Sequence, residues 1–253
     1  MNKVLVVTGA ASGIGQATAV VFAERGYAVV AGDRDVAGLE KTAEKVKALG
    51  GEFEYLAVDV SSEYDVKALI GIAKERFGWI SSVVSCAGVA RTGRIDEMPR
   101  SDWDLQLAVN LTGTYLLAKN TMEVFMEQKA GSFVAVSSDA GVRGASGYAA
   151  YCASKHGVIG LVRCLALDYG KYGIRTNAVC PGFVQTRMMD QLFAEAVNPE
   201  EEKRSYMKEV PLGRFATPEE VGKVIEHLSS NDAAYTNGMI YSIDGGVTAG
   251  HFE

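Results

Sequence analysis

Short, almost continuously apolar runs alternate along this chain with longer stretches in which apolar positions recur every three or four residues. The runs rich in β-branched residues are VLVVT (4–8), AVVAG (28–32), FEYLAV (53–58), ISSVVSC (80–86), SFVAVS (132–137), IRTNAVC (174–180) and MIYSI (239–243). Several lack the polar alternation of a strand with one wet face, which predicts strands covered on both faces. Helices are predicted over 14–25, 36–48, 62–76, 101–129 and 152–170. TPEE at 217–220 reads as a capping Thr, a Pro at the first helical position and a Glu three residues after the cap. SDWD at 101–104 predicts a similar Ser cap. Seven strands alternating with helices predict an α/β fold: a single doubly wound Rossmann-type domain, with a seven-stranded parallel sheet, helices on both faces and right-handed crossovers. No repeat or Pro/Gly-rich linker divides the sequence, so one domain is expected over 1–253. The stretch 183–216, rich in Met, Phe and Glu, is expected to be irregular and to cover a pocket as a substrate loop.

Composition narrows the class. Of 253 residues, 48% are hydrophobic and 22% charged, the balance of a soluble globular protein whose core needs no metal or disulfide. The net charge is −6 and no block of five like charges occurs, so nucleic acid is not expected as a partner. PEEEKR at 199–204 reads as a solvated helix start or loop. No apolar run reaches the roughly 18 residues of a membrane span, and the N-terminus lacks a signal-peptide core. A cytoplasmic protein without a membrane partner is expected. Cys86, Cys152, Cys164 and Cys180 form no CxxC pair and are expected to be reduced, mostly buried thiols. His156, His227 and His251 lack metal-ligand spacing, so no metal is expected.

The first strand runs into TGAASGIG. Glycines at 9, 13 and 15 suit a tight turn whose backbone can approach a pyrophosphate, and a helix starting near Ile14 would offer unpaired N–H groups to the phosphates. Gly9, Ser12, Gly13, Ile14 and Gly15 are therefore candidate cofactor contacts. The spacing GxxxGxG departs from the general GxGxxG fingerprint. Asp33, 24 residues after Gly9, ends the second strand where a carboxylate would bind the adenosine ribose hydroxyls and repel a 2′-phosphate, which favours NAD over NADP. Arg34 follows it and could welcome that phosphate. Asp59, after the third strand, either faces the adenine or caps the next helix.

AAYCASKHG at 149–157 sets Tyr151 and Lys155 one helical turn apart, on one face. A phenolate can take the proton of a secondary alcohol, and a nearby ammonium favours the phenolate. Lys155 could also hold the nicotinamide ribose. Ser138, at the end of the fifth strand, could orient the substrate oxygen; Ser137 competes for that role. In the reverse direction Tyr151 donates a proton to a carbonyl, while the cofactor carries the hydride.

Taken together, TGAASGIG (8–15), Asp33, DV (59–60), CAG (86–88), Asn110 in AVNLTGTY, SS (137–138), YCASK (151–155), NAVCPGFVQT (177–186) and DGG (244–246) resemble the short-chain dehydrogenase/reductase family in its roughly 250-residue form. The resemblance implies catalytic roles for Asn110, Ser138, Tyr151 and Lys155, with Asn110 helping to position a water in a proton relay. It implies cofactor contacts at Asp59, Val60, Ala87, Gly88, Tyr151, Lys155, Pro181, Gly182, Val184 and Thr186, the last two at the nicotinamide carboxamide. The family's NNAG is SCAG here (85–88), which is expected to loosen hydrogen bonds around that turn while keeping the small Ala87–Gly88 pair.

These readings predict an oxidoreductase passing a hydride between NAD(H) and a secondary alcohol or ketone. An NADPH-dependent 3-oxoacyl reductase and a non-catalytic nucleotide-binding protein are the alternatives. Arg91, Arg94, Arg143 and Arg187 are candidate clamps for an anionic substrate, and Phe183, Met188 and Met189 form either an apolar wall or core. The resemblance also implies a homotetramer. The helix over 152–170 would supply it with apolar surplus, since Val158, Ile159, Leu161, Val162, Leu165, Ala166 and Leu167 spread over more than one face.

Overall fold

Successive residues of strand β1 (Lys3–Thr8) enter two different cores: Val4 and Val6 one, Leu5 and Val7 the other. The same alternation runs through β2 (Tyr27–Asp33) and β5 (Gly131–Val136). A strand's side chains alternate between its faces, so a continuously apolar run here means a sheet covered on both sides. The computed structural model describes residues 3–194 and 198–250. With β3 (Phe53–Ala57), β4 (Ser82–Ser85), β6 (Ile174–Pro181) and β7 (Ile240–Ile243), the strands form one parallel sheet in the order β3-β2-β1-β4-β5-β6-β7. Helices α1 (Gly13–Glu24), α2 (Val36–Ala48) and α9 (Pro218–Ser229) cover one face. Helices α3 (Glu63–Phe77), α5 (Gly113–Gln128) and α6 (Ala149–Tyr169) cover the other. The doubly wound single domain is as expected. The strand order reverses between β1 and β4, so the crevice beyond their C-terminal ends is the position where such sheets bind ligands.

Four expectations need correction. The helix expected over 101–129 is two helices, α4 (Arg100–Gln106) and α5, joined through a π-helical segment, Leu107–Thr112. Ser101 lies inside the first turn of α4 and caps nothing; Pro99 holds the cap position. The described part of the stretch 183–216 is not irregular, for it carries α7 (Arg187–Ala194) and α8 (Pro199–Lys208), the latter capped by Asn198, whose side chain accepts from the Glu201 N–H; residues 195–197 lie outside the described residues. Among the cysteines only Cys180 is buried; Cys86 and Cys152 are half-buried, and Cys164 is exposed on the outer face of α6. The capping box at Thr217 and Glu220 forms as expected. On α6, Val158, Ile159, Val162, Leu165 and Ala166 are buried by the chain itself and Leu161 packs against the core, leaving Leu167 as the exposed member of that set.

Among the described residues no helix is long and apolar enough to cross a membrane, and no cluster of His, Cys, Asp or Glu could hold a metal ion.

Candidate active site

The glycine turn joins β1 to α1 and is packed too closely for side chains. Gly9 has φ +70°, and a Cβ on it would lie 2.7 Å from the Ala87 nitrogen. A Cβ on Gly15 would lie 2.1 Å from the Gly9 carbonyl oxygen. Gly13, at φ +53°, would press its Cβ to 3.2 Å from Thr186 Cγ2, which puts the loop after β6 against the turn. Ser12 holds the cap position of α1 in an extended conformation, but its side chain makes no capping bond. The first N–H groups of the helix thus keep their hydrogen bonds and the positive dipole end for an anion. Ile14 packs against the core beneath.

Asp33 closes the turn from the side. One carboxylate oxygen accepts from the Ala11 N–H at 3.0 Å and the other from the Asp35 N–H at 3.0 Å. Arg34 is exposed and 4.0 Å from Asp59. Asp59 accepts from the Ser61 hydroxyl at 2.6 Å and its N–H at 3.0 Å, and these bonds hold its carboxyl below the usual range. The cap of α3 is Ser62, so Asp59 does not cap that helix. Val60 turns its side chain into the core, where a Cβ on Gly113 would meet it at 2.8 Å. Gly182 donates its N–H to the Ile243 carbonyl at 3.1 Å, just past Pro181. Val184 is buried and bridges to Ala216. A dinucleotide fits these residues: the tight glycine turn leaves the first N–H groups of α1 without a side-chain cap, and a carboxylate stands beside it.

Across the crevice, α6 brings Tyr151 and Lys155 together with Ser138 from the end of β5. Lys155 is buried; its Nζ donates to the Val136 carbonyl at 2.9 Å and lies 5.6 Å from the centre of the Tyr151 ring. Burial pushes the lysine down to about 8 and the Tyr151 phenol up to about 12. The Ser138 hydroxyl is within hydrogen-bonding reach of the phenol and works against that rise. Ser137 points elsewhere, its hydroxyl donating to the Lys155 carbonyl at 2.9 Å. Gly88 brings the β4 turn to the same point: a Cβ there would lie 3.5 Å from Lys155 Nζ and 3.4 Å from Asn110 Oδ1.

Asn110 sits within the π-helical segment, buried. Its Oδ1 accepts from the Val89 N–H at 2.8 Å, and its Nδ2 donates to the Val89 carbonyl at 2.9 Å and to Ser154 Oγ at 3.0 Å. The side chain therefore clamps the β4 turn to α6, and Ser154 is a partner that spacing alone did not reveal. π-Helical turns recur at functional sites because they re-aim a side chain within a helix. The SCAG turn is held rather than loosened, with Ser85 bonded to Thr114 at 3.0 Å in addition to the Asn110 clamp. Ala87 packs against the core.

At the mouth, the arginines are engaged within the chain. Arg94 pairs bidentately with Asp96, Arg143 holds Asp139 and reaches Glu209, and Arg187 lies 3.8 Å from Asp35. Arg91 donates to its neighbour's carbonyl. Phe183, Phe193, Tyr206 and Phe215 form an aromatic cluster with Met189, so Phe183 and Met189 belong to a small core of this segment, whereas Met188 is exposed. Tyr148 meets Tyr206 of α8, oxygen to oxygen, at 3.3 Å.

Residues 9–248 match a family model described as enoyl-(acyl carrier protein) reductase. The chain is 36% identical over 246 residues to the 3-oxoacyl-(acyl-carrier-protein) reductase of Thermotoga maritima, covering 97% of this chain and 98% of that one. It is 34% identical over 257 residues to levodione reductase of Leifsonia aquatica, covering 99% and 96%. The crystal structure of levodione reductase superposes with a TM-score of 0.94 at 33% identity, covering 99% of this chain and 98% of that one.

Proposed function

The chain is an oxidoreductase of the short-chain dehydrogenase/reductase family, and we propose that it passes a hydride between NAD(H) and a secondary alcohol or ketone, with Tyr151 moving the proton. The convergence of Tyr151, Ser138 and Lys155 in the crevice opposite the glycine turn carries this reading. The turn residues Gly9, Ser12, Gly13, Ile14 and Gly15 would hold the pyrophosphate of the cofactor, and Asp33 its adenosine ribose. Asp59, the backbone at Val60, Ala87, Gly88, Pro181, Gly182, Val184 and Thr186, with Tyr151 and Lys155, would line the remainder. When bound, the nicotinamide supplies the hydride acceptor or donor. Tyr151 takes the alcohol's proton, or gives its own to a ketone. Lys155, buried beside it, stabilises the phenolate when charged and holds the ribose. Ser138 orients the substrate oxygen, and Asn110 keeps the β4 turn and α6 in register. Residues 183–216 serve as the substrate segment.

NAD is the preferred cofactor on this account, because Asp33 is fixed beside the turn by two backbone N–H groups. An NADPH-linked 3-oxoacyl reductase is the second reading, supported by the exposed Arg34 and by the similarity to the Thermotoga maritima enzyme. A screen of NAD and NADP reduction with a panel of secondary alcohols separates the two. Reduction of neither cofactor by any alcohol, nor oxidation of NADH or NADPH by any ketone, would favour a non-catalytic nucleotide-binding role. We further infer a cytoplasmic homotetramer. The exposed Tyr115 stands at a groove between α5 and α6, lined on α6 by Leu161, Leu165 and Tyr169, that a second copy could cover, and light scattering tests this directly.

A further inference from the structure

Ser138 is more fully committed than its role in the mechanism requires. A serine hydroxyl offers one proton and two lone pairs. Here the proton goes to Asp139 Oδ1 at 2.9 Å, and one lone pair accepts from the Ala140 N–H at 3.2 Å. Asp139 is itself buried, and its other oxygen is gripped by Arg143, with Nε at 3.0 Å and a terminal nitrogen at 2.8 Å. That grip leaves Oδ1 free to face the serine. The same guanidinium reaches Glu209, just past α8, at 3.4 Å. A buried carboxylate is costly unless paired, and this one stands next to the reacting groups rather than in a structural corner.

We propose that Asp139 is a positioning residue that holds the Ser138 hydroxyl in one orientation beside Tyr151, ready to meet the substrate oxygen. Arg143 fixes the carboxylate in that orientation and ties it to the end of α8. The serine oxygen then keeps one place beside the phenol, where it can accept from an alcohol O–H or turn its proton to a ketone oxygen. The proposal rests on the reading of Tyr151 as the proton-transfer group.

The test uses Asp139→Asn and Asp139→Ala, each made in the unmodified chain and in Ser138→Ala, with NAD and cyclohexanol as the assay and NADH fluorescence as the binding control. Asn keeps the shape, but its amide nitrogen must turn away from Arg143 and therefore toward Ser138, which reverses the bond. We expect kcat to fall about 10- to 100-fold in both single variants, with NADH affinity unchanged. In the Ser138→Ala background neither substitution should lower the residual kcat further. Full kcat in Asp139→Asn, or an equal loss with and without Ser138, would overturn the proposal. A readout independent of turnover is amide exchange: Asp139→Ala should release Ser138 and speed exchange at Ala140, and unchanged exchange there would also overturn it. An unmodified protein inactive toward every alcohol and ketone would remove the functional reading, while the exchange result would still decide whether Asp139 orients Ser138.

Discussion

Replacing Asp33 by Ala removes the carboxylate that is bonded to the glycine turn. Its two oxygens accept from Ala11 and Asp35, each at 3.0 Å. Losing these neutral-donor bonds at a partly exposed position should lower stability by only about 1–2 kcal/mol. The effect on the cofactor is larger. A ribose hydroxyl bonded to a carboxylate is worth about 1.5–3 kcal/mol, so kcat/KM for NAD should fall roughly 10- to 100-fold. For NADP the sign reverses. Two unit charges about 4 Å apart interact by about 4 kcal/mol at the effective dielectric of a protein surface. Salt and the adjacent Arg34 reduce that repulsion without cancelling it. Without Asp33, Arg34 is left as the charge nearest the 2′-phosphate, and kcat/KM for NADP should rise. The NADP-to-NAD ratio is therefore expected to shift by about a hundredfold or more. Initial rates with both cofactors at fixed ionic strength, with circular dichroism to confirm the fold, measure it. An unmodified protein that prefers NADP, or a ratio that moves less than about fivefold on substitution, would refute the reasoning.

Two further outcomes follow from the geometry. Gly9→Ala places a Cβ 2.7 Å from the Ala87 nitrogen at φ +70°, so a loss of about 2–4 kcal/mol in denaturant unfolding and weaker NADH binding are expected; an unchanged midpoint would contradict the packing. Lys155 is buried with its pKa held down near 8, below its unfolded value, so the unfolded chain binds the extra proton. Its burial penalty is complete below about pH 8 and disappears as pH rises past about 10.4. Lys155→Met should therefore gain stability relative to the unmodified chain at pH 7, by up to about 3 kcal/mol less the cost of orphaning the Val136 carbonyl. The gain should shrink as pH rises through that window, and thermal melts that show no such trend would contradict the burial.

The fold was legible because parallel strands covered on both faces read as continuous apolar runs, and because Thr217 and Glu220 cap α9 in the way their spacing requires. The glycine turn and the Tyr151–Lys155 pair were legible for the same reason: each is a local spacing set by one turn and one helix. What spacing could not convey lies between elements or off the helical repeat. Helix α8 buries none of its residues fully and packs only through Tyr206 and Met207, which is too little of an apolar stripe to reveal it, and its signal is the Asn198 cap and Pro199. The π-helical segment moves Asn110 out of register with α5, and no periodic pattern predicts that. Neighbouring side chains at 138 and 139 do not normally face one another. They do so here where the chain leaves the strand and Ser138 caps the tight turn Asp139–Gly141. Residue type alone did not separate Ser137 from Ser138, which the family resemblance favoured; the strand's alternation sends Ser137 toward the backbone of α6.

The central claim is that Tyr151 moves the proton, and Tyr151→Phe tests it most directly. The phenol oxygen is the one group removed, and the ring's edge-on contact with Tyr148 at 6.2 Å is kept. Circular dichroism and NADH binding should match the unmodified protein, while kcat for alcohol oxidation should fall by about 100- to 10,000-fold, the range for a lost general acid–base group. A folded, NADH-binding Tyr151→Phe protein that turns over within a few-fold of the unmodified rate would contradict the account.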